Sequence, residues 1–345
     1  MVLAVEWVDR PQRVLRLVDQ TALPTEERYI DVTTVDVLVR AIQDLAVRGA
    51  PALGATGALG VAVAMEQAAR EGWDGERLDR EIERIRTARP TAVNLAWGVD
   101  QVRDAVPRGV DEVLTLARRV VAEDESANRR LSALGADWIL EHTGLDQVRV
   151  VTHCNTGALA TSAWGTAYGI IHELHVRERL GLVYADETRP LLQGSRLTSW
   201  ELTKDGIDHV VQADGAAAST ILRGLVDVAI IGADRITANG DTANKVGSVG
   251  LALACARAGI PFVVAAPSST VDLATKRGED IHIEERDSEE VVAFGGVRTA
   301  PEGARGFNPA FDVTPHDLIS AIVTEHGVVE PALTPAPDLL TEIAG

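Results

Sequence analysis

The chain has 345 residues, 46% of them hydrophobic and 4% aromatic, and 51 acidic residues against 33 basic ones leave a net charge of −18. That length and apolar content allow a large buried core and more than one average domain. The charge argues against nonspecific nucleic-acid binding, because no basic stripe is present to displace counterions from phosphates. The two cysteines, Cys154 and Cys255, lie far apart and outside any CxxC spacing, against a disulfide framework or a structural zinc site.

Three short extended runs open the chain, at 5–8, 14–18 and 29–32, separated by the turn signals Asp9-Arg10-Pro11 and Leu23-Pro24. They predict a small antiparallel sheet. Thr34 is placed to cap a helix reaching residue 46. Arg48-Gly49-Ala50-Pro51 breaks the chain, and its proline suits the first turn of the next helix, 52–70. That helix is almost wholly small and apolar, so burial on most faces is expected. A charged amphipathic helix follows over 76–87 and ends near Arg89-Pro90-Thr91-Ala92-Val93-Asn94-Leu95. A long helix over 111–142 closes this helical first third.

From Val148 the pattern changes. Apolar runs at 148–152, 182–185, 209–212, 228–231 and 261–265 alternate with helix-like segments. Continuous rather than alternating runs predict parallel strands buried on both faces, hence a doubly wound α/β domain. The Pro-rich tail after Glu330 is expected at the surface. No leader-like segment and no uncharged apolar run of about 18 residues is present, so a soluble, cytoplasmic protein without a membrane partner is expected.

Two strand ends carry candidate chemistry. Cys154 follows one apolar run and precedes Asn155-Thr156-Gly157-Ala158, read as a helix N-terminus whose unpaired N–H groups would favour a thiolate. A lone cysteine is more often buried and inert, but the polar neighbours His153, Asn155 and Thr156 favour function. Cys255, in an apolar helix, takes the inert reading. Asp234 follows the run 228–231 and reads equally as a helix cap or as a general acid. Loops at the carboxyl ends of strands in open α/β sheets are where ligands bind.

Around these lie possible anion and hydroxyl contacts. Asn239-Gly240-Asp241-Thr242-Ala243-Asn244-Lys245 places turn formers, an amide and one of three lysines (Lys204, Lys245, Lys276) at an expected helix start. Arg48 and Arg89 stand at helix boundaries and together could clamp a phosphate, although taken singly either arginine is more often a surface ion-pair partner. Gln193, in the polar loop 186–196, could serve a hydroxyl-rich ligand as both donor and acceptor, or lie in a plain solvated loop. Gly54, Gly57 and Gly60 lie inside a helix rather than after a strand, which speaks against a dinucleotide site, and the eight histidines show no metal-ligand spacing.

These motifs occur together in an order that resembles the methylthioribose-1-phosphate isomerases of methionine salvage. That family is related to ribose-1,5-bisphosphate isomerases and to regulatory subunits of an initiation-factor exchange complex. The resemblance runs over nearly the whole chain, through Arg48-Gly49-Ala50-Pro51, Arg89-Pro90-Thr91, Thr152-His153-Cys154-Asn155, Glu187-Thr188-Arg189-Pro190-Leu191-Leu192-Gln193-Gly194, Gly232-Ala233-Asp234-Arg235, Asn244-Lys245-Val246-Gly247 and Asn308-Pro309-Ala310-Phe311-Asp312. It implies that Cys154 and Asp234 are the catalytic pair and that Arg48, Gly49, Ala50, Arg89, Gln193, Asn244 and Lys245 bind a sugar phosphate. Thr156 stands where the family has alanine, beside the catalytic thiol. The resemblance also implies a mainly helical N-terminal domain, 1–125, with a small antiparallel sheet, and a Rossmann-like catalytic domain, 126–345. It implies a homodimer, no metal and no cofactor. Because Arg48 and Arg89 fall in the first domain and Cys154 and Asp234 in the second, domain closure is expected.

Overall fold

The computed structural model of the chain describes residues 3–9, 12–89 and 93–331. They group into two units, one of Met1–Asn128 and Thr156–Gly165, the other of Arg129–Asn155 and Thr166–Gly345. Arg10 and Pro11 of the first turn, motif residues 90–92 and the Pro-rich tail beyond 331 lie outside the described residues.

In the first unit, β1 (Val5–Val8), β2 (Val14–Val18) and β3 (Tyr29–Val32) form the predicted antiparallel sheet in that order. Alternation sorts the faces: Leu15 and Leu17 are fully buried, while Arg16 between them points out to an ion pair with Asp31. Five helices follow: α1 (Val35–Gln43), α2 (Ala50–Glu71), α3 (Gly75–Arg86), α4 (Val93–Arg103) and α5 (Val110–Thr143), the last continuing into the second unit. The Thr34 hydroxyl caps α1 by accepting the Val37 N–H at 3.3 Å. That helix stops short of residue 46, where Leu45 turns left-handed at φ 60°.

Helix α4 is not predicted from sequence, because its buried residues Leu95, Val99 and Val102 are interrupted by the exposed Trp97 and by Gly98. Its partner explains it. A Cβ on Gly98 would lie 1.9 Å from the Gly54 carbonyl oxygen, and one on Gly57 would lie 2.4 Å from that of Leu95. Helices α2 and α4 therefore meet backbone to backbone, through glycines rather than an apolar stripe. Helix α2 has the length and apolarity to cross a membrane, yet 78% of its most apolar window is buried within the protein, as for a core helix.

The second unit takes up the strands β4 (Val148–Thr152), β5 (Leu180–Asp186), β6 (His209–Gln212), β7 (Val228–Ile231), β8 (Arg235–Thr237), β9 (Thr242–Lys245) and β10 (Phe262–Ala265). After them come β11 (Val271–Asp272), β12 (Ala293–Phe294), β13 (Val297–Arg298), β14 (Phe311–Thr314), β15 (Ala321–Thr324) and β16 (Gly327–Val329). Helices α6 (Ala167–Val176), α7 (Ser199–Lys204), α8 (Ala217–Leu222), α9 (Ser248–Ala258) and α10 (Glu289–Val292) connect them.

The main sheet has the order β16-β15-β10-β7-β4-β5-β6 and is parallel except at β16. From β4 the chain steps outward to β5 and β6, then returns to β7 and steps outward the other way. The order thus reverses between β4 and β7, the switch point of an open α/β sheet. Period-2 alternation feeds two cores: Val148, Val150, Ile230 and Val263 pack with α5 and α6, while Val151, Ala229, Ile231 and Val264 pack on the other face with α9.

Two expectations need correction. Strand β6 is an edge strand with Val210 and Val211 exposed, so it is not buried on both faces. The connection from β10 to the unpredicted parallel strand β15 contains no long helix; β14 in that stretch joins a second sheet of order β11-β8-β9-β14.

Candidate active site

The register places Thr152 of β4 beside Ile230 of β7. Cys154 follows the first strand and Asp234 the second, so the predicted pair sits on the two strands that flank the switch point, at their carboxyl ends. The surroundings of Cys154 differ from expectation. Residues 155–166 run as turns and bends, and the next helix begins at Ala167, so the thiol does not stand at a helix N-terminus. Of this stretch, Thr156–Gly165 belongs to the first unit.

Cys154 is buried, with its backbone left-handed at φ 65°. Its N–H donates to the Thr188 hydroxyl at 2.9 Å, and its carbonyl accepts from the Thr198 hydroxyl at 2.6 Å. Asp234 is exposed, in contrast to the partly dry setting that the acid reading anticipates. It caps no helix either: a strand, β8, follows, and the Asp234 N–H donates to the Ala243 carbonyl at 2.9 Å.

Asn244 and Lys245 lie on β9 rather than at a helix start, which comes at Ser248. Asn244 is buried and donates from Nδ2 to the Ser248 hydroxyl at 2.9 Å. The Lys245 ammonium donates to the Ala310 carbonyl at 2.8 Å and lies 4.7 Å from the Phe311 ring centroid. Gln193 is buried, and its Oε1 has no hydrogen-bond partner among the described residues. The next residue must be glycine: a Cβ on Gly194 would lie 1.6 Å from the Asp186 carbonyl oxygen. That contact seats the π-helical turn Gly194–Thr198 against the end of β5.

In the first unit, Gly49 precedes α2 at φ 98°, with Ala50 and Pro51 opening the helix as predicted. A Cβ on Gly49 would lie 2.2 Å from the Ala160 carbonyl oxygen, the same oxygen that accepts the Ala52 N–H at 3.2 Å. Arg48 is half-buried at the head of α2, and Arg89 is half-buried beyond the end of α3.

Sequence reasoning passed over a buried network beside Cys154. His153 Nδ1 lies 2.9 Å from Asp186 Oδ2, and its Nε2 lies 2.9 Å from the Val246 carbonyl oxygen. A carbonyl only accepts, so Nε2 carries a proton. The other proton is shared with Asp186, giving a neutral pair either way. Burial opposes charging His153, but the Asp186 hydrogen bond and charge prevail and raise its pKa; burial also raises the pKa of Asp186. Gln212 Nε2 donates to the remaining Asp186 oxygen at 2.8 Å. Asp214 comes near enough that His153, Asp186 and Asp214 could together hold a metal ion. Their donor atoms are already engaged, with the Asp214 carboxylate accepting the Thr188 and Arg189 N–H groups at 2.7 and 2.6 Å. The sequence signal for this network was His153 itself, polar at a strand end. Cys255 is wholly buried, and burial pushes its thiol up to about 12.

The model of the initiation factor 2 subunit family matches residues 46–331. A methylthioribose-1-phosphate isomerase of Anaeromyxobacter dehalogenans (strain 2CP-C) is 49% identical over 93% of this chain and 92% of its own length. A probable bifunctional methylthioribose-1-phosphate isomerase/methylthioribulose-1-phosphate dehydratase of Nocardia farcinica (strain IFM 10152) is 51% identical over 93% of this chain, which spans only 58% of that protein. Among solved structures, 5-methylthioribose 1-phosphate isomerase from Pyrococcus horikoshii OT3 is similar with a TM-score of 0.88 at 38% identity, covering 99% of this chain and 96% of that one. Translation initiation factor eIF-2B subunit delta from A. fulgidus is similar with a TM-score of 0.87 at 38% identity, covering 99% of this chain and all of that one.

Proposed function

This chain belongs to the initiation factor 2 subunit family, and from that premise we propose that it is an aldose–ketose isomerase converting 5-methylthio-α-D-ribose 1-phosphate to 5-methylthio-D-ribulose 1-phosphate. The observation that carries the reading is the location of Cys154 and Asp234 after the two strands that flank the order reversal of the sheet. Relatives named for this reaction, at 49% identity over nearly the whole chain, support the substrate.

The sugar carries its phosphate on the anomeric oxygen, so the ring cannot open to a free aldehyde unaided. In this reading Asp234 donates a proton to the ring oxygen as the bond from C1 to that oxygen breaks. Cys154 then takes the C2 proton, leaving an enol between C1 and C2. The proton is delivered to C1 while the C2 hydroxyl becomes the carbonyl and returns its proton to Asp234. The alternative is a hydride shift from C2 to C1, with Cys154 shaping the site; solvent deuterium at C1 of the product, gained by exchange at the thiol, marks the first route. Arg48, Gly49, Ala50, Arg89, Gln193, Asn244 and Lys245 are assigned to substrate binding, with the cations and backbone donors on the phosphate. The reading includes a cytoplasmic homodimer in methionine salvage, with domains of 1–125 and 126–345.

The test is isomerisation of 5-methylthioribose 1-phosphate by the pure protein, beside Cys154→Ser and Asp234→Asn. Turnover that is lost in both variants supports the reaction and the pair. A second reading, a regulatory binding protein, draws on the likeness to the A. fulgidus initiation-factor subunit. Inertness toward this substrate, 5-deoxyribose 1-phosphate and ribose 1,5-bisphosphate alike would overturn the enzyme in favour of that reading.

A further inference from the structure

Cys154 is a non-glycine residue held left-handed at φ 65°, a conformation that L-residues adopt at a cost and keep only where surroundings enforce it. Two hydroxyls enforce it here, one at each end of the residue. Thr188 Oγ1 accepts the Cys154 N–H at 2.9 Å and spends its own proton on the Asp186 carbonyl at 3.0 Å. Thr198 Oγ1 donates to the Cys154 carbonyl at 2.6 Å and accepts from Asn155 Nδ2 at 3.3 Å.

Both threonines are buried, at 0% and 2% exposure, and each hydroxyl proton goes to a main-chain carbonyl. Neither is therefore a proton donor to a substrate. Thr188 is itself left-handed at φ 64°, rare for a β-branched residue, and the Asp214 carboxylate holds it there by accepting the N–H groups of Thr188 and Arg189. Thr198 closes the π-helical turn that Gly194 seats against Asp186. Asn155 is anchored in turn, its Nδ2 lying 2.6 Å from Glu201 Oε2. The loop after β5 and the turn that follows it thus converge on a single residue beyond the neighbouring strand.

We propose that Thr188 and Thr198 are positioning residues of the isomerisation, which clamp the Cys154 main chain at both its N–H and its carbonyl and so fix the direction of the thiol. The inference rests on the isomerase reading above. A proton-transfer group gains its rate from alignment, and a displacement of about 1 Å costs roughly 10²-fold. The clamp sets that alignment without touching the sugar, so its loss should appear in kcat rather than KM.

The experiment measures kcat and KM on 5-methylthioribose 1-phosphate for the full-length protein and for Thr188→Val, Thr198→Val, Thr188→Ser and Thr198→Ser, with thermal unfolding of each. The valine variants are expected to lose on the order of 10- to 100-fold in kcat with KM within about threefold, and the serine variants, which keep the hydroxyl, to stay within about threefold in both. Valine variants that match the parent in kcat would overturn the clamp, as would serine variants that fall tenfold or more on the same scale. If the valine variants do not fold, Thr188→Ala and Thr198→Ala replace them, with the same loss in kcat expected and a parent-like kcat overturning the clamp. A parent protein inert toward the sugar phosphate sinks the isomerase reading instead, so the two failures are distinct.

Discussion

Gly49→Ala tests the geometry at the head of α2. Gly49 has φ 98° and ψ 136°, outside the regions an alanine occupies without strain, for which roughly 1–3 kcal/mol is expected. The added Cβ would also lie 2.2 Å from the oxygen, 2.5 Å from the Cα and 2.6 Å from the carbonyl carbon of Ala160. All three are backbone atoms, so no side chain can swing aside, and overpacking adds about 1–3 kcal/mol. If the 157–160 turns retreat instead, the Ala52 N–H loses its bond to the Ala160 oxygen, at about 1 kcal/mol.

The sum is roughly 2–6 kcal/mol, which for a unit of this size lowers Tm by about 4–24 °C. Scanning calorimetry of Gly49→Ala beside two controls is the assay. Gly72→Ala, at φ 67° with nothing within 4 Å of the new Cβ, carries only the left-handed cost of about 1–2 kcal/mol. Gly75→Ala, in open space at the start of α3, should be neutral or slightly stabilising. A Gly49→Ala protein that melts no lower than Gly72→Ala would refute the close approach to Ala160.

Three further outcomes follow from the second unit. Iodoacetamide should spare Cys255 in the folded protein, because it is wholly buried with its thiol pushed up to about 12; mass spectrometry of labelled peptides checks this, and modification of Cys255 in folded protein would contradict it. Asp227 and Asp241 resist burial's upward push through bonds to Arg149 and to Asn239, Gly278 and His316, so their folded pKa values lie below the unfolded ones. Their stabilisation is therefore complete above the unfolded value, about pH 4, and lost as pH falls through the folded values; Asp227→Asn should flatten the acid limb of a Tm–pH curve, and an unchanged limb counts against the assignment. Gly247→Ala, at φ 113° with its Cβ 2.8 Å from His153 Cε1, should displace the ring from the Val246 carbonyl and lower kcat by roughly tenfold or more; wild-type kinetics would exclude such coupling to Cys154.

The sequence by itself determined the elements whose signal is local. The runs 148–152, 209–212 and 228–231 match β4, β6 and β7, and Pro51 opens α2 as read, because strand propensity and a proline's fixed φ act within a few residues. The candidate pair was legible for the same reason: Cys154 and Asp234 each end a recognisable strand. Tertiary structure decided the rest. Helix α4 exists because Gly54, Gly57 and Gly98 let two backbones touch, a relation between residues some forty apart that no periodicity records. Residues 155–166 form turns although their start reads as a helix N-terminus, since hydroxyls from Thr188 and Thr198 hold the Cys154 peptide left-handed. A local pattern tells which residues can end a strand. Only the sheet order, which reverses between β4 and β7, tells which two strand ends become neighbours.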